Sequence, residues 1–439
     1  MKKISIIAAF ACAALVVSCS KASNTFDRMA GEYDAEISPA APDGDYGDPG
    51  DPGDSGNSQG NGGQAGVVTA AEWNDLDNWG FWGNLITGQF KDYADIWRFN
   101  TEGRVAVFVS TEEGVPVSGV TVELKEGEDL LWKTVTDNYG RAECWLSLFD
   151  SNKQTDQSKL SVSINGIPST EKPQITWLQN STVRLNKYVV TNAKEPLLAA
   201  DIAFIVDSTG SMMDEIDFLK KDLVDIIGKV QQSQSGLKIR TGAVFYRDEG
   251  DDYLTLASYF TEDLSKTSEF IKAQTADGGG DFPEAVHTAL EISLQALSWN
   301  PDAHARIAFM LLDAPAHETD YIKESLHESI RLYAQNGIKL IPVSASGIDK
   351  KTEAMLRFFS IGTNATYVFI TNDSGVGGNH IEASVGEYQV EKLNDLIVRL
   401  IDKYTAVITS APSEDTPAED TPSEDTPTED PEDGGTPTA

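Results

Sequence analysis

Apolar and polar positions alternate along the middle of the chain. Between residues 104 and 190, apolar side chains recur at every second position, as at Val105, Val107 and Val109, which predicts strands with one buried face. Turn residues such as those at 137–140 separate the runs. The pattern predicts a β-sandwich over residues 104–190.

Beyond residue 196, short apolar runs alternate with longer amphipathic segments. Between the runs, apolar residues recur with helical spacing from Ile216 to Val230 and from Val286 to Leu297. This alternation predicts an α/β domain over residues 196–406, with a doubly wound, largely parallel sheet. The runs themselves are apolar at nearly every position, as strands buried on both faces must be, and lie at 203–206, 243–246, 307–312, 338–343 and 367–370.

The first residues are typical of an export signal. Two lysines precede an apolar run at residues 4–17, which is too short to span a bilayer comfortably. The run closes on Val16-Val17-Ser18-Cys19, which resembles the lipobox of bacterial lipoproteins. The resemblance implies a signal peptide over residues 1–18, a lipid on Cys19, and a cell-envelope protein expected at the surface of the outer membrane. An ordinary signal peptide with a chance cysteine is the alternative, and the face of the envelope stays open.

Two segments have the composition of disordered chain. Residues 19–70 are rich in Gly, Asp and Pro, which predicts a flexible tether. Residues 409–439 form an acidic tail rich in Thr and Pro, which is typical of a spacer or stalk more than of a binding segment. Residues 71–103 are instead rich in aromatic side chains. We expect these rings to pack on the following domain, with a sugar-stacking platform as the alternative.

The charge balance excludes one class of partner. The 439 residues include 69 Asp and Glu against 34 Lys and Arg, a formal net charge of -35. Such a surface repels the phosphate backbone of nucleic acids. We therefore expect no nucleic-acid partner.

Candidate metal ligands stand at the ends of two predicted strands. Asp207 ends one apolar run and is followed by Thr209 and Ser211, while Asp313 ends another. Ligands of parallel sheets bind where the strands end and the helices begin. Carboxylate and hydroxyl oxygens suit a hard divalent cation, and Gly210 permits a tight loop between them. The arrangement predicts a divalent-metal site.

The residues around Asp207 resemble the metal-ion-dependent adhesion site of von Willebrand factor A-like domains. They read Phe204-Ile205-Val206-Asp207-Ser208-Thr209-Gly210-Ser211-Met212. The resemblance implies that Asp207, Thr209 and Ser211, with Asp281 of a second loop and Asp313 of a third, hold Mg²⁺, or Ca²⁺ or Mn²⁺. It also implies a ligand that often completes the shell with an acidic group. Asp281 stands where the family usually has threonine, which adds a negative charge and weakens that demand. Helix capping beside the nearby proline is the alternative for Asp281.

Two strings in the alternating region resemble carboxypeptidase regulatory-like and related Ig-like surface modules. Such modules are usually spacers or packing partners, so we expect a structural role for residues 104–190. The strings are Gly114-Val115-Pro116-Val117-Ser118-Gly119-Val120-Thr121-Val122 and Thr136-Asp137-Asn138-Tyr139-Gly140-Arg141-Ala142.

The predicted site favours binding over catalysis. It offers metal ligands without a general base or nucleophile beside them, and neither a His-Glu-x-x-His motif nor a phosphate-binding loop with its lysine occurs. His317 of the third loop is expected to bond to its own loop. We predict a lipoprotein that is not an enzyme and that binds a protein or glycan through the metal. An envelope assembly or scaffolding factor is the alternative, and a metal-dependent hydrolase is less favoured.

Overall fold

The computed structural model describes residues 66–191, 197–233, 236–375 and 380–411. The predicted signal peptide, Cys19, most of the predicted tether and nearly all of the predicted tail lie outside these residues. The described residues belong to one compact unit. Among them, no helix combines the length and the apolar character needed to cross a membrane.

The first described elements come before the region of alternating strands. They are strand β1 (Thr69–Trp73) and the short helices α1 (Trp79–Thr87) and α2 (Lys91–Trp97). β1 pairs antiparallel with residues 367–370, near the other end of the chain. Strand β1 therefore begins inside residues 19–70, which the sequence assigns to the tether.

The middle of the chain forms two small sheets. One has three strands in the order β5-β2-β8, and the other has four in the order β4-β3-β6-β7. Apolar residues of both sheets, including Val107, Val122 and Trp132, belong to one buried cluster, because every second side chain turns inward. The likeness to Ig-like modules stays a prediction. The strands are β2 (Arg104–Ser110), β3 (Thr121–Glu126), β4 (Asp129–Val135), β5 (Arg141–Trp145), β6 (Leu160–Ile164), β7 (Ile167–Pro168) and β8 (Leu185–Val189).

The remaining elements alternate between strand and helix. They are β9 (Leu197–Asp207), α3 (Met213–Ser233), β10 (Lys238–Tyr246), β11 (Thr255–Thr261), α4 (Leu264–Ala273), α5 (Val286–Ala296), β12 (Ala303–Leu312), α6 (Asp320–Gln335), β13 (Lys339–Ser344), α7 (Lys350–Gly362), β14 (Tyr367–Ile370), β15 (Glu391–Lys392) and α8 (Leu393–Thr405).

These strands and β1 form one sheet of eight, in the order β11-β10-β9-β12-β13-β14-β1-β15. The five strands from β10 to β14 in this order are parallel, whereas β11, β1 and β15 run antiparallel to their neighbours. The α/β fold with a largely parallel sheet, predicted from the sequence, is confirmed.

Helices cover both faces of the large sheet. Phe204 and Val206 of β9 share a core with the apolar faces of α3, α4 and α8. Ala203 and Ile205 point the other way, into a core with α5, α6 and α7, because successive strand residues face opposite sides. This second core continues into the two small sheets. The regions predicted as a β-sandwich and as an α/β domain therefore share one apolar core.

The aromatic segment lies between the small sheets and α7. Trp79, Trp82 and Trp97 are each at most 1% exposed. The ring of Trp82 meets that of Phe358 in α7 edge-on at 5.7 Å, and the indole of Trp97 donates to the carbonyl of Lys351 at 3.1 Å. These rings pack on the larger domain as well as on the smaller sheets, so none of the three offers a face to a sugar.

Candidate metal centre

Two aspartates leave adjacent strands at the same edge of the large sheet. β9 and β12 are parallel neighbours, and Val206 pairs with Leu311. Asp207 and Asp313 therefore follow within one residue of each other in register. Both side chains are buried, with 0% and 4% exposure. The fold brings together the two strand-end aspartates that the sequence singled out.

The loop after β9 holds Thr209 and Ser211 beside Asp207. Asp207 Oδ1 accepts hydrogen bonds from the backbone amide of Thr209 at 2.9 Å and from its hydroxyl at 2.7 Å. The hydroxyls of Thr209 and Ser211 lie 3.1 Å apart. Gly210 is needed here because a Cβ would lie 2.9 Å from the carbonyl of Gly278. Three predicted ligands thus form one hydrogen-bonded loop.

One oxygen of each aspartate is left without a partner. Asp207 Oδ2 and Asp313 Oδ1 are buried and accept no hydrogen bond from the described residues. Burial raises the pKa of both carboxyls, and the charge of Asp313 raises the pKa of Asp207 further. The hydrogen bonds from the amide and the hydroxyl of Thr209 oppose the rise in the pKa of Asp207. Unpartnered buried carboxylates are unfavourable unless a cation offsets them.

In the second loop, the carboxyl that is buried near the two aspartates is that of Glu284 and not that of Asp281. Glu284 is 2% exposed, its amide donates to the carbonyl of Pro315 at 2.8 Å, and its Oε2 has no partner among the described residues. Burial raises its pKa to about 9, with the charge of Asp207 as the next cause. Glu284 therefore faces the same centre as the two aspartates.

Asp281 lies three residues earlier and is exposed. No hydrogen bond among the described residues joins it to the other four predicted ligands. It does not cap α5 either, because that helix begins at Val286 with Ala285 at its N-cap and no side-chain cap. Sequence reasoning missed Glu284, which lies in the same loop as Asp281. The available signal was its place directly before the apolar residues Ala285 and Val286.

A fourth loop, at residues 247–254, packs against this centre. His317 bonds through Nε2 to Asp248 of that loop at 3.0 Å, so the expectation that it bonds to its own loop is wrong. The amide of Gly279 donates to both carboxylate oxygens of Asp251 at 3.1 and 2.9 Å. These bonds hold the second and third loops against the fourth.

The donor set fits a hard divalent cation only if hydroxyl groups take part. Among the described residues, no three His, Cys, Asp or Glu side chains lie close enough to bind a metal by themselves. The unpartnered oxygens of Asp207 and Asp313, with the hydroxyls of Thr209 and Ser211, supply oxygen donors of the kind that Mg²⁺ and Ca²⁺ prefer.

Comparison with known families agrees with this architecture. Residues 201–375 match the von Willebrand factor A domain. These residues include Asp207, Thr209, Ser211, Asp281 and Asp313. The chain therefore contains a von Willebrand factor A domain, which covers less than half of its length.

Relatives match the chain only in part. The alpha-protein kinase vwkA of Dictyostelium discoideum is 28% identical over 190 residues, which are 43% of this chain and 28% of that protein. A putative ariadne-like RING finger protein of Acanthamoeba polyphaga mimivirus is 29% identical over 130 residues, 30% of this chain and 12% of that protein. The chain thus spans less than a third of either relative.

Two solved structures from Bacteroides align with part of the chain. The conserved hypothetical protein BatB of Bacteroides thetaiotaomicron has a TM-score of 0.32 and 12% identity, over 47% of this chain and 98% of that one. An aerotolerance-related membrane protein of Bacteroides fragilis has a TM-score of 0.31 with the same identity and coverage.

Proposed function

We propose that the chain binds a divalent cation through Asp207, Thr209, Ser211 and Asp313, and a protein or glycan through that ion. The observation that carries this proposal is the pair of buried carboxylate oxygens, Asp207 Oδ2 and Asp313 Oδ1, that have no partner among the described residues. Mg²⁺, Ca²⁺ or Mn²⁺ supplies a Lewis-acidic position for an oxygen of the ligand. The domain match supports the same assignment.

Glu284 borders this site as a third carboxyl, although the three carboxyls by themselves do not lie close enough to hold the ion. Glu284 is buried and its Oε2 has no partner among the described residues, whereas Asp281 is exposed. We therefore assign this role to Glu284 and not to Asp281. With three carboxyls near one ion, the preference moves toward Ca²⁺ or Mn²⁺, which accept more anionic oxygens than Mg²⁺ commonly takes from protein.

Calorimetric titration of Mg²⁺, Ca²⁺ and Mn²⁺ into the metal-stripped full chain tests both statements. We expect one strong site, which Asp207→Ala and Asp313→Ala abolish and Glu284→Gln weakens. Asp281→Asn is the matched control, because it neutralises a carboxyl of the same loop. If Asp281→Asn weakens binding and Glu284→Gln does not, the third carboxyl belongs to Asp281. If the wild-type chain binds no metal at millimolar concentration, the proposal fails.

A metal-dependent hydrolase is the second candidate, and one observation favours it. His317 and Asp248 form a hydrogen-bonded pair on loops that border the site, and such a pair is a common proton-transfer arrangement. Ester hydrolysis by the metal-loaded chain, lost in His317→Ala while metal binding persists, would favour this candidate. We expect no such turnover, because the proposed role is binding.

The place of the protein is part of the same proposal. Cys19 closes an apolar export signal, so we propose that a lipid on this residue anchors the chain in the cell envelope. Labelling of cells with a radioactive fatty acid should mark the wild-type chain and not Cys19→Ser. Label retained in Cys19→Ser would contradict the anchor. Protease treatment of intact cells then distinguishes an outward-facing chain from a periplasmic one.

A further inference from the structure

We propose that the edge of the large sheet around the candidate metal centre is a docking surface for a basic segment of a partner protein, with apolar side chains beside its basic ones. This inference rests on the proposed metal site and names the chemistry of its ligand. It departs from the acidic ligand that the sequence resemblance implies.

The two loops at residues 247–254 and 275–284 are strongly acidic. The first contains four acidic residues and the second three, whereas Arg247 is their only basic residue. Arg247 is 4% exposed, donates to the carbonyl of Thr275 at 3.0 Å and stacks on the ring of Tyr253 at 4.3 Å. Its charge is therefore directed into the protein and not toward a ligand.

Four of these seven carboxyls face solvent. We call them the acidic rim: Glu249, Asp252, Asp277 and Asp281. No salt bridge among the described residues includes any of the four. The third loop and the start of α6 differ, because Glu318 is paired with Lys351 and Asp320 with Arg98. Uncompensated negative charge is therefore concentrated on the two loops of the acidic rim.

The two loops of the acidic rim border the candidate site, because the amide of Gly210 donates to the carbonyl of Gly278 at 3.1 Å and the amide of Gly279 donates to Asp251. Glu284 is 2% exposed and its Oε2 accepts no hydrogen bond from the described residues. A carboxylate would have to approach this centre through the field of the acidic rim, which favours a cationic partner.

Large apolar side chains lie beside the candidate ligands on three different segments. Met213 follows the first loop and is 62% exposed, Phe282 belongs to the second and is 43% exposed, and Tyr321 follows the third and is 49% exposed. One exposed apolar residue is ordinary on a protein surface. One at each of the three ligand-bearing loops fits a partner with apolar side chains between its basic ones.

Two matched probes test this surface on the metal-loaded full chain. One is a short labelled peptide that alternates lysine with leucine and phenylalanine, and the other has glutamate at every lysine position. Fluorescence anisotropy should show that the basic peptide binds at least about tenfold more tightly, with a difference that shrinks as salt rises. Tighter binding of the acidic peptide would overturn the proposal.

Variants separate the docking surface from general attraction between charges. Neutralising Glu249, Asp252 and Asp277 of the acidic rim with amide side chains should weaken the basic peptide about tenfold and leave calorimetric metal binding in place. Glu128→Gln with Asp129→Asn, at the exposed start of β4, is the control and should change nothing. Phe282→Ser with Tyr321→Ser should also weaken the basic peptide. If it does not, the binding is unspecific and the proposal falls.

The same measurements distinguish this proposal from the metal proposal. Metal binding without preference for the basic peptide leaves the metal site standing and removes the docking surface. In another outcome, the chain binds the basic peptide but no metal, with a peptide affinity that both the rim and the apolar variants lower. That result supports the docking surface and contradicts the metal site. Absence of both kinds of binding removes both.

Discussion

Two groups of buried carboxyls differ in one respect. We call the first group the carboxylate cluster, and it consists of Asp207, Asp313 and Glu284. It contains no basic side chain to offset the charge of these buried carboxyls. In the other group, Asp75 and Glu353 are joined by Arg357, whose side chain is 0% exposed. We call this group the arginine cluster. Where the chain supplies its own cation, buried carboxyls are structural.

The charged groups of the arginine cluster form hydrogen bonds with one another and with the nearby backbone. Arg357 donates through Nε to Asp75 Oδ2 at 2.8 Å and through Nη1 to the carbonyl of Ser384. Glu353 accepts from the amide of Ser384 at 2.6 Å. These bonds join the segment after β1 to α7 and to the chain before β15. The carboxylate cluster leaves an oxygen of each member unpartnered among the described residues, which fits a cation from solution.

The largest effect is expected from removing the Asp75 side of the arginine cluster. Residues 196–406, the bounds that the sequence predicts for the larger domain, lack β1, which pairs with β14 and β15. They also leave the guanidinium of Arg357 buried without Asp75. We expect this fragment to aggregate or to unfold at much lower urea than the full chain. Equal urea midpoints would contradict the assignment of β1 to the core of the fold.

Arg357→Met should have the next largest effect. It leaves Asp75 buried without its cation, whereas Glu353 keeps Lys350 at 2.8 Å, and breaking a buried pair in this way destabilises by about 3–5 kcal/mol. Urea unfolding measures the loss. Arg399→Met is the control: Arg399 is 45% exposed and pairs with Glu72 and Glu391, and exposed pairs contribute about 0–1 kcal/mol. Similar losses in the two variants would end the distinction between clusters.

A divalent cation should stabilise the chain through the carboxylate cluster alone. At a hundred times its dissociation constant, a ligand that binds only the folded state adds about 2.7 kcal/mol. The increment, measured by urea unfolding with and without metal, should disappear in Asp207→Ala. It should persist in Arg357→Met, as far as that variant folds. An increment that survives Asp207→Ala would place the ion elsewhere.

The smallest effect concerns pH in the absence of metal. Burial raises the pKa of Glu284 to about 9, so the folded state binds more protons than the unfolded state between about pH 4 and pH 9. The free energy of unfolding should therefore fall as pH rises through this range. Glu284→Gln should flatten the fall. Stability that rises with pH equally in both chains would contradict the assigned burial.

Local patterns along the chain were sufficient for the larger sheet and for part of the candidate centre. Apolar runs located its parallel strands, because a strand buried on both faces needs apolar side chains throughout. Asp207 and Asp313 were then identified as neighbours, since parallel strands end at a common edge. Whether they bind metal stays a prediction. The α/β class required no knowledge of long-range contacts.

Other features depended on contacts between distant parts of the chain. Ala70 pairs with Ile370, and a composition typical of a tether contains no information about a partner three hundred residues away. Asp281 and Glu284 are three residues apart, but only Glu284 is buried. The hydrogen bond from its amide to the carbonyl of Pro315 holds it against another loop. Repeating patterns record which face of an element is buried, whereas burial of a single side chain in a loop depends on which other loop packs over it.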